Sequence, residues 1–137
     1  MTQLRINRAA QLLGVSDDTV RRWIDAGRLA SRRDDAGRAV VDGADLARLL
    51  VDEANGPEDP VHRESSARNR FVGIVTAVVS DTVMSQVEMQ CGPHRVVSLM
   101  STEAVRDLGL EVGSLATASV KATTVIVETP SRTETDR

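Results

Sequence analysis

Residues 14–29 read GVSDDTVRRWIDAGRL, and their spacing decides the fold of the N-terminal half. Ser16 is placed to cap a helix over residues 17–27, because a serine hydroxyl at that position accepts from an amide of the first turn. Val20, Trp23 and Ile24 fall at i, i+3 and i+4, the spacing of one buried stripe. Gly27 suits a left-handed stop. Gly14 ends an earlier helix within NRAAQLLGVS (7–16), where Asn7 is the expected cap, Ala10 and Leu13 share a face, and Ile6 lies in line behind them. Helix, a short turn holding a glycine, and helix again is the spacing of a helix-turn-helix.

Outward from this core, LASRRDDAGRAVV (29–41) predicts two short strands around a turn at Asp35-Ala36-Gly37, a wing. Asp42 then starts a third helix, GADLARLLVDEA (43–54), with Leu46, Leu49 and Leu50 facing inward. Arg21, Arg22, Arg28, Arg32, Arg33 and Arg38 lie on the second helix, its exit and the wing. A winged-helix packing would gather these guanidiniums on one side to meet phosphates, with a helix N-terminus in the major groove. Asp17 and Asp18 oppose this: they suit the helix dipole but repel DNA, and they can pair with Arg21 and Arg22 at i+4. Residues 1–54 carry nine basic and nine acidic side chains, so a solvated face laced with surface ion pairs is the competing reading.

Composition narrows the function classes. The chain has 137 residues, a formal net charge of -3 and an aromatic content of 1%. Trp23 and Phe71 are the only aromatic side chains, which argues against stacking platforms for single-stranded nucleic acid. Cys91 stands alone, so no disulfide can close within the chain and a reducing compartment fits. The first residues lack the apolar run of a signal peptide and no stretch is long enough to cross a bilayer, so a cytoplasmic location without membrane partners is expected. His62 and His94 have no second ligand at metal spacing, and Met84, Met89 and Met100 suit a core better than a soft-metal site. No nucleophile–base pair, phosphate-binding glycine loop or paired-carboxylate site is visible, so no enzyme and no free-cation site is expected.

Near residue 55 the pattern changes. ANGPEDPVHRES (54–65) reads as a linker, and β-branched residues dominate beyond it. Strands are predicted over FVGIVTAVVS (71–80), MSQVEMQ (84–90), HRVVSLM (94–100), SLATASVK (114–121) and TTVIVE (123–128). A short helix, TEAVRDLG (102–109), is expected between the third and fourth, with Thr102 as cap and Gly109 as stop. Five strands and one helix in so short a span predict an OB-like β-barrel, near the lower size limit for independent folding. Sharing strands with another subunit would help it.

Two segments of this half suit a tetrahedral dianion. Its oxygens only accept, so a site for it needs converging donors and few carboxylates. SSARN (65–69) offers hydroxyls, an arginine and backbone amides; KATT (121–124) offers the only lysine of the chain and two hydroxyls between small residues. No Asp or Glu occurs from Ser65 to Val79 or from Gly113 to Val127. A lysine is a compact point charge suited to a round oxyanion, where arginine prefers planar partners.

Both halves resemble known families. GVSDDTVRRWIDAGRL with its basic hairpin resembles the DNA-binding half of the MerR family and the excisionase-like winged helices, over roughly residues 4–53. SSARNRFVG, the segment around MSTEAVRDLGLEVG and SVKATTVIVE resemble, in order and spacing, the molbindin or TOBE family of molybdate-binding domains, over residues 65–129. That resemblance implies an oxyanion site between subunits, contributed by Ser66, Ala67, Arg68, Asn69, Ser101, Lys121, Ala122 and Thr123. Thr123 replaces a usual serine, and Ala104 stands where the family often supplies another hydroxyl.

The expected fold class is therefore α+β in two domains: a winged helix-turn-helix over 1–54, a linker over 55–65, an OB-like TOBE/molbindin barrel over 66–129 and a frayed tail over 130–137. The expected function is a molybdate- or tungstate-responsive regulator that binds double-stranded DNA and self-associates through its C-terminal domain. Candidate DNA contacts are Ser16, Thr19, Arg21, Arg22, Arg32, Arg33 and Arg38. A molybdate-storage protein with a degenerate N-terminal domain is the alternative, and an excisionase-like architectural protein is a third possibility.

Overall fold

The computed structural model describes residues 2–130. The frayed tail expected over 130–137 lies, but for Pro130, outside the described residues. The chain divides into two compact units, one ending at Asn55 and one beginning at Gly56. Among the described residues no helix is long and apolar enough to cross a membrane.

The first unit is a winged helix-turn-helix. Helices α1 (Ile6–Leu13), α2 (Asp17–Asp25) and α3 (Gly43–Glu53) pack around a three-stranded sheet of β1 (Gln3–Arg5), β3 (Ala39–Asp42) and β2 (Ser31–Arg33), in that order. Ser16 caps α2 as expected, its Oγ accepting from Thr19 N at 3.2 Å. Gly14 takes φ 69°, a left-handed conformation that costs a residue without Cβ nothing, and turns the chain between α1 and α2. The core holds Ile6, Ala9, Ala10, Val20, Leu29, Val41, Leu46 and Leu49. Trp23 and Ile24 are only partly buried beside it.

Several local expectations are corrected. Asn7 does not cap α1: the helix starts at Ile6 after an extended Arg5, and Asn7 Oδ1 instead accepts from Arg8 N at 2.9 Å. Asp42 occupies the N-cap position of α3 without a side-chain capping bond. Strand β1 had no counterpart in the sequence reading; it pairs antiparallel with β3, Leu4 opposite Val41. The wing turn is organised by Asp34, whose Oδ1 accepts from Ala36 N (3.0 Å) and Arg38 N (2.8 Å) and whose Oδ2 accepts from Arg38 Nε (3.0 Å).

The second unit is an antiparallel sheet in the order β6-β5-β4-β7, an open OB-like half-barrel with one short helix. Its elements are β4 (Asn69–Ser80), β5 (Met84–Cys91), β6 (His94–Ser101), α4 (Thr102–Leu108) and β7 (Leu115–Val120). One sheet face carries Val75, Val87, Met89 and Cys91, and these bury themselves against Val105 of α4. A bulge at Thr76 shifts the β4–β5 register between Val75 and Ala77 and bends the sheet around this core. Gly73 is needed for close packing: a Cβ there would lie 2.2 Å from Gln90 O and 2.7 Å from Cys91 Sγ.

Among the described residues the second unit forms four strands, not five. TTVIVE is no strand: Ala122–Thr124 makes a 3-10 turn, and Val125, Ile126 and Val127 follow without a sheet partner among the described residues, exposed by 45%, 85% and 84%. Ser101, not Thr102, caps α4. Thr102 is buried and donates to Asp81 O at 2.9 Å, tying α4 to the β4–β5 turn. Met89 is in the core and Met100 packs against it, but Met84 faces outward, because the β5 residues of the opposite alternation, Ser85, Val87, Met89 and Cys91, take the core face.

Candidate functional site

Strands β4 and β7 build the candidate oxyanion site. Their register sets Asn69 opposite Val120, so the segments Ser66–Asn69 and Lys121–Thr123 meet at one end of the sheet. Asn69 Nδ2 closes the junction by donating to Val120 O at 3.1 Å. Before it, Ser65 Oγ accepts from Ala67 N at 3.1 Å, a local turn that presents Ser66 and Ala67. After it, Thr124 spends both its amide (3.0 Å) and its hydroxyl (2.9 Å) on Lys121 O. The amides of Ala122 and Thr123 open that 3-10 turn and have no carbonyl behind them to bond within it. Ser66, Arg68, Lys121 and Thr123 are exposed, and among the described residues Arg68 and Lys121 make no ion pair. Cationic, hydroxyl and amide donors thus gather at this end of the sheet.

Ser101 is elsewhere. It ends β6, opposite Met84 of β5, on the sheet edge away from β7 and at the end of β4 away from Asn69. Between those ends β4 runs 12 residues, a contour of roughly 35–40 Å at about 3.3 Å per residue. Ser101 Oγ accepts from Ala104 N at 3.1 Å as the cap of α4, which leaves its O–H free to donate. One chain therefore does not bring Ser101 to Lys121.

The sequence reading missed a carboxylate next to this site. Asp59 of the linker docks on the β4–β7 pair: Oδ2 accepts from Arg70 Nε (2.6 Å), and Oδ1 accepts from Thr117 Oγ1 (2.8 Å) and Val61 N (2.9 Å). The Arg70 guanidinium, then the Val61 amide and the Thr117 hydroxyl, hold the Asp59 carboxyl well below the usual carboxylate range. Arg70 follows Asn69, so strand alternation puts this cluster on the sheet face opposite the Asn69 side chain.

The candidate DNA contacts all lie in the first unit. Thr19 Oγ1 shares a hydrogen bond with Ser16 Oγ (3.0 Å) and accepts from Arg22 Nη2 (2.9 Å), so Ser16, Thr19 and Arg22 form a chain along the start of α2. The expected i+4 pairs do not form. Arg21 instead meets Asp18 at i+3, at 3.5 Å, with both side chains largely exposed; such a contact is worth little. Arg38 is paired with Asp34, and Arg33 Nη1 donates to Gly37 O at 2.9 Å. Among the described residues Arg22, Arg32 and Arg33 make no ion pair. Arg28 lies 4.9 Å from the centre of the Trp23 ring and pairs with Glu53 at the end of α3. A cleft of about 310 Å³ between Gly27, Arg28, Ala30 and the α3 residues Asp45, Arg48, Leu49 and Asp52 also belongs to this unit; its carboxylates do not suit an anion.

Comparison with known proteins divides the chain at the same place. A TOBE domain model matches residues 65–127 and a helix-turn-helix domain model matches residues 4–50. Molybdenum-pterin-binding protein 3 of Clostridium pasteurianum is 36% identical over 63 residues, which are 45% of this chain and 93% of that protein. The molybdenum transport protein ModE of Herbaspirillum seropedicae is 36% identical over 67 residues, 48% of this chain, and the chain spans only a quarter (25%) of its length. The solved structure of a molybdate binding protein from Sporomusa ovata is 33% identical, with a TM-score of 0.48, covering 49% of this chain and 100% of that one. With nearly the whole of a molybdenum-pterin-binding protein matched by its second unit, the chain belongs to the TOBE-domain family of those proteins, here joined to a helix-turn-helix domain.

Proposed function

We propose that the chain is a molybdate-responsive DNA-binding regulator, with tungstate able to replace molybdate because it has the same shape and charge. The observation that carries this reading is the junction of Ser66–Asn69 with Lys121–Thr123, two carboxylate-free, donor-rich segments at one end of a TOBE sheet. Arg68 and Lys121 supply the charge, the amides of Ala122 and Thr123 and the hydroxyls of Ser66 and Thr123 supply directed donors, and Asn69 holds the segments together. Ser101 sits at the other end of β4, so it completes the site only from a second copy. Self-association has further support in the apolar Val125–Val127 segment and in Val79, Val97 and Leu99, which stay exposed in the single chain.

In the assembled protein, oxyanion binding favours one arrangement of protomers and so biases the spacing of two helix-turn-helix units. Whatever factor the anion applies to DNA affinity, DNA applies to anion affinity. The single buried cysteine fits a reducing, cytoplasmic setting. Calorimetric titration of the full chain with molybdate, tungstate and sulfate, followed by band shifts with and without molybdate, tests the reading. Molybdate binding with anion-sensitive shifts supports it; no molybdate binding at millimolar concentration overturns it. The storage reading is favoured by Asp17 and Asp18 at the start of α2 and by the pairing of Arg38 with Asp34, and tight molybdate binding without any DNA binding would establish it.

A further inference from the structure

Two ion pairs bracket the segment between the units. Glu53, the last residue of α3, is bonded to Arg28. Asp59 is bonded to Arg70. Only Ala54–Glu58, five residues, lie between these anchors. The stretch 54–65, which reads as a free linker in sequence, is thus pinned at Asp59 and Val61, and the span between the two anchors is five residues.

The Asp59 anchor crosses both strands of the candidate site. Arg70 belongs to β4 and immediately follows Asn69; Thr117 belongs to β7, four residues before Lys121. Arg70 also donates to Val61 O at 3.3 Å, so it holds the strap at two points. Docking of the strap and closure of the Asn69–Val120 junction depend on the same β4–β7 pairing.

We propose that residues 59–61 are a latch whose docking is coupled to occupancy of the oxyanion site, and that the latch sets the length of the tether to the DNA-binding unit. This rests on the oxyanion reading of the Ser66–Asn69 and Lys121–Thr123 junction. A bound anion holds the ends of β4 and β7 together and keeps the strap docked. At about 3.3–3.6 Å per residue, a five-residue tether reaches at most roughly 18 Å, whereas release of the strap frees the 12 residues 54–65 to reach roughly 43 Å. Tether length sets the effective concentration of one DNA-binding unit near its mate in an assembled pair. The Arg28–Glu53 bond keeps α3 from fraying to supply slack at the other end. The anion can thereby act on DNA affinity without any contact between the two units.

Hydrogen exchange of the full chain, with and without saturating molybdate, tests this alongside the Asp59→Asn variant, which keeps side-chain size and loses the charge. In the wild type without ligand, the Val61 amide exchanges slowly, and Asp59→Asn speeds it. Molybdate slows Val61 exchange further in the wild type, and Asp59→Asn weakens molybdate binding about five-fold or more, the lower range of measured couplings. A wild type that binds molybdate with unchanged Val61 exchange, or a variant with wild-type molybdate affinity, overturns the coupling alone. Failure of the wild type to bind molybdate overturns the oxyanion reading and the coupling with it. Fast Val61 exchange in the ligand-free wild type, at the rate of an unprotected amide, overturns the docked strap itself.

Discussion

Ser101 and Lys121 lie at opposite ends of β4 and at opposite edges of the sheet, which makes subunit complementation a sharp test of the proposed site. Take two variants. Lys121→Ala removes a charge-assisted donor, worth about 1.5–3 kcal/mol, and should weaken molybdate binding roughly ten- to hundred-fold. Ser101→Gly removes a neutral hydroxyl donor, worth about 0.5–1.5 kcal/mol or roughly two- to ten-fold, while glycine at an N-cap costs α4 only a few tenths of a kcal/mol. If each site takes Lys121 from one chain and Ser101 from another, an equal mixture of the two variants, unfolded and reassembled together, gives about one site in four with both groups intact. Calorimetric titration of the mixture should then show a high-affinity class, about a quarter of the sites, that neither variant shows alone. A mixture that titrates as the plain average of its components refutes the two-chain site, because in a one-chain site every copy keeps its own defect.

Three further outcomes are expected. Gly73→Ala forces a Cβ to within 2.2 Å of a backbone carbonyl and should destabilise the second unit by about 1–3 kcal/mol, read as a lower denaturant midpoint with the first unit unchanged; an unchanged midpoint contradicts the close approach. Arg32→Ala and Arg33→Ala should each weaken binding across DNA sequences and reduce the salt slope by about one, and a slope identical to wild type removes those residues from the phosphate contacts. Asp34, Asp59, Asp81 and Glu88 are held below their ordinary values chiefly by the Arg38 amide, the Arg70 guanidinium, the Met84 amide and the Arg95 guanidinium, respectively. A carboxyl depressed in the folded state contributes stability above its unfolded value and loses it as pH falls towards its folded one. The Tm should be flat from about pH 8 to 5 and fall below about 4.5; a maximum at pH 4 contradicts this.

What could be read from sequence was local. Ser16 and Thr19 are three residues apart, and Gly14, Gly27 and Gly109 stop their helices through backbone conformation alone, so α2, the wing and α4 show in short windows. The cap of α4 was missed by one residue because Ser101 and Thr102 both carry hydroxyls, and only tertiary contact with Asp81 sends Thr102 inward. Strand β1 is three residues long and its partner β3 begins at Ala39, beyond any local period. TTVIVE has strand composition, but strand propensity depends on a neighbour to pair with, and the described residues of the single chain offer it none. At the candidate site, the order of the segments was legible, while the distance of Ser101 from Lys121 is a property of the β6-β5-β4-β7 order. Asp59 meets Arg70 and Thr117, 11 and 58 residues away, with nothing in its Pro-flanked surroundings to announce it.

The stacking of Arg28 on Trp23 has a spectroscopic consequence. The chain has one tryptophan and no tyrosine, so its near-ultraviolet fluorescence arises in the helix-turn-helix unit. The cation over that indole is also the group that clasps Glu53, where the tether begins. Oxyanion is dark in itself, so if it binds in the other unit as proposed, a shift in the emission of Trp23 on its addition would report a signal passed from that unit.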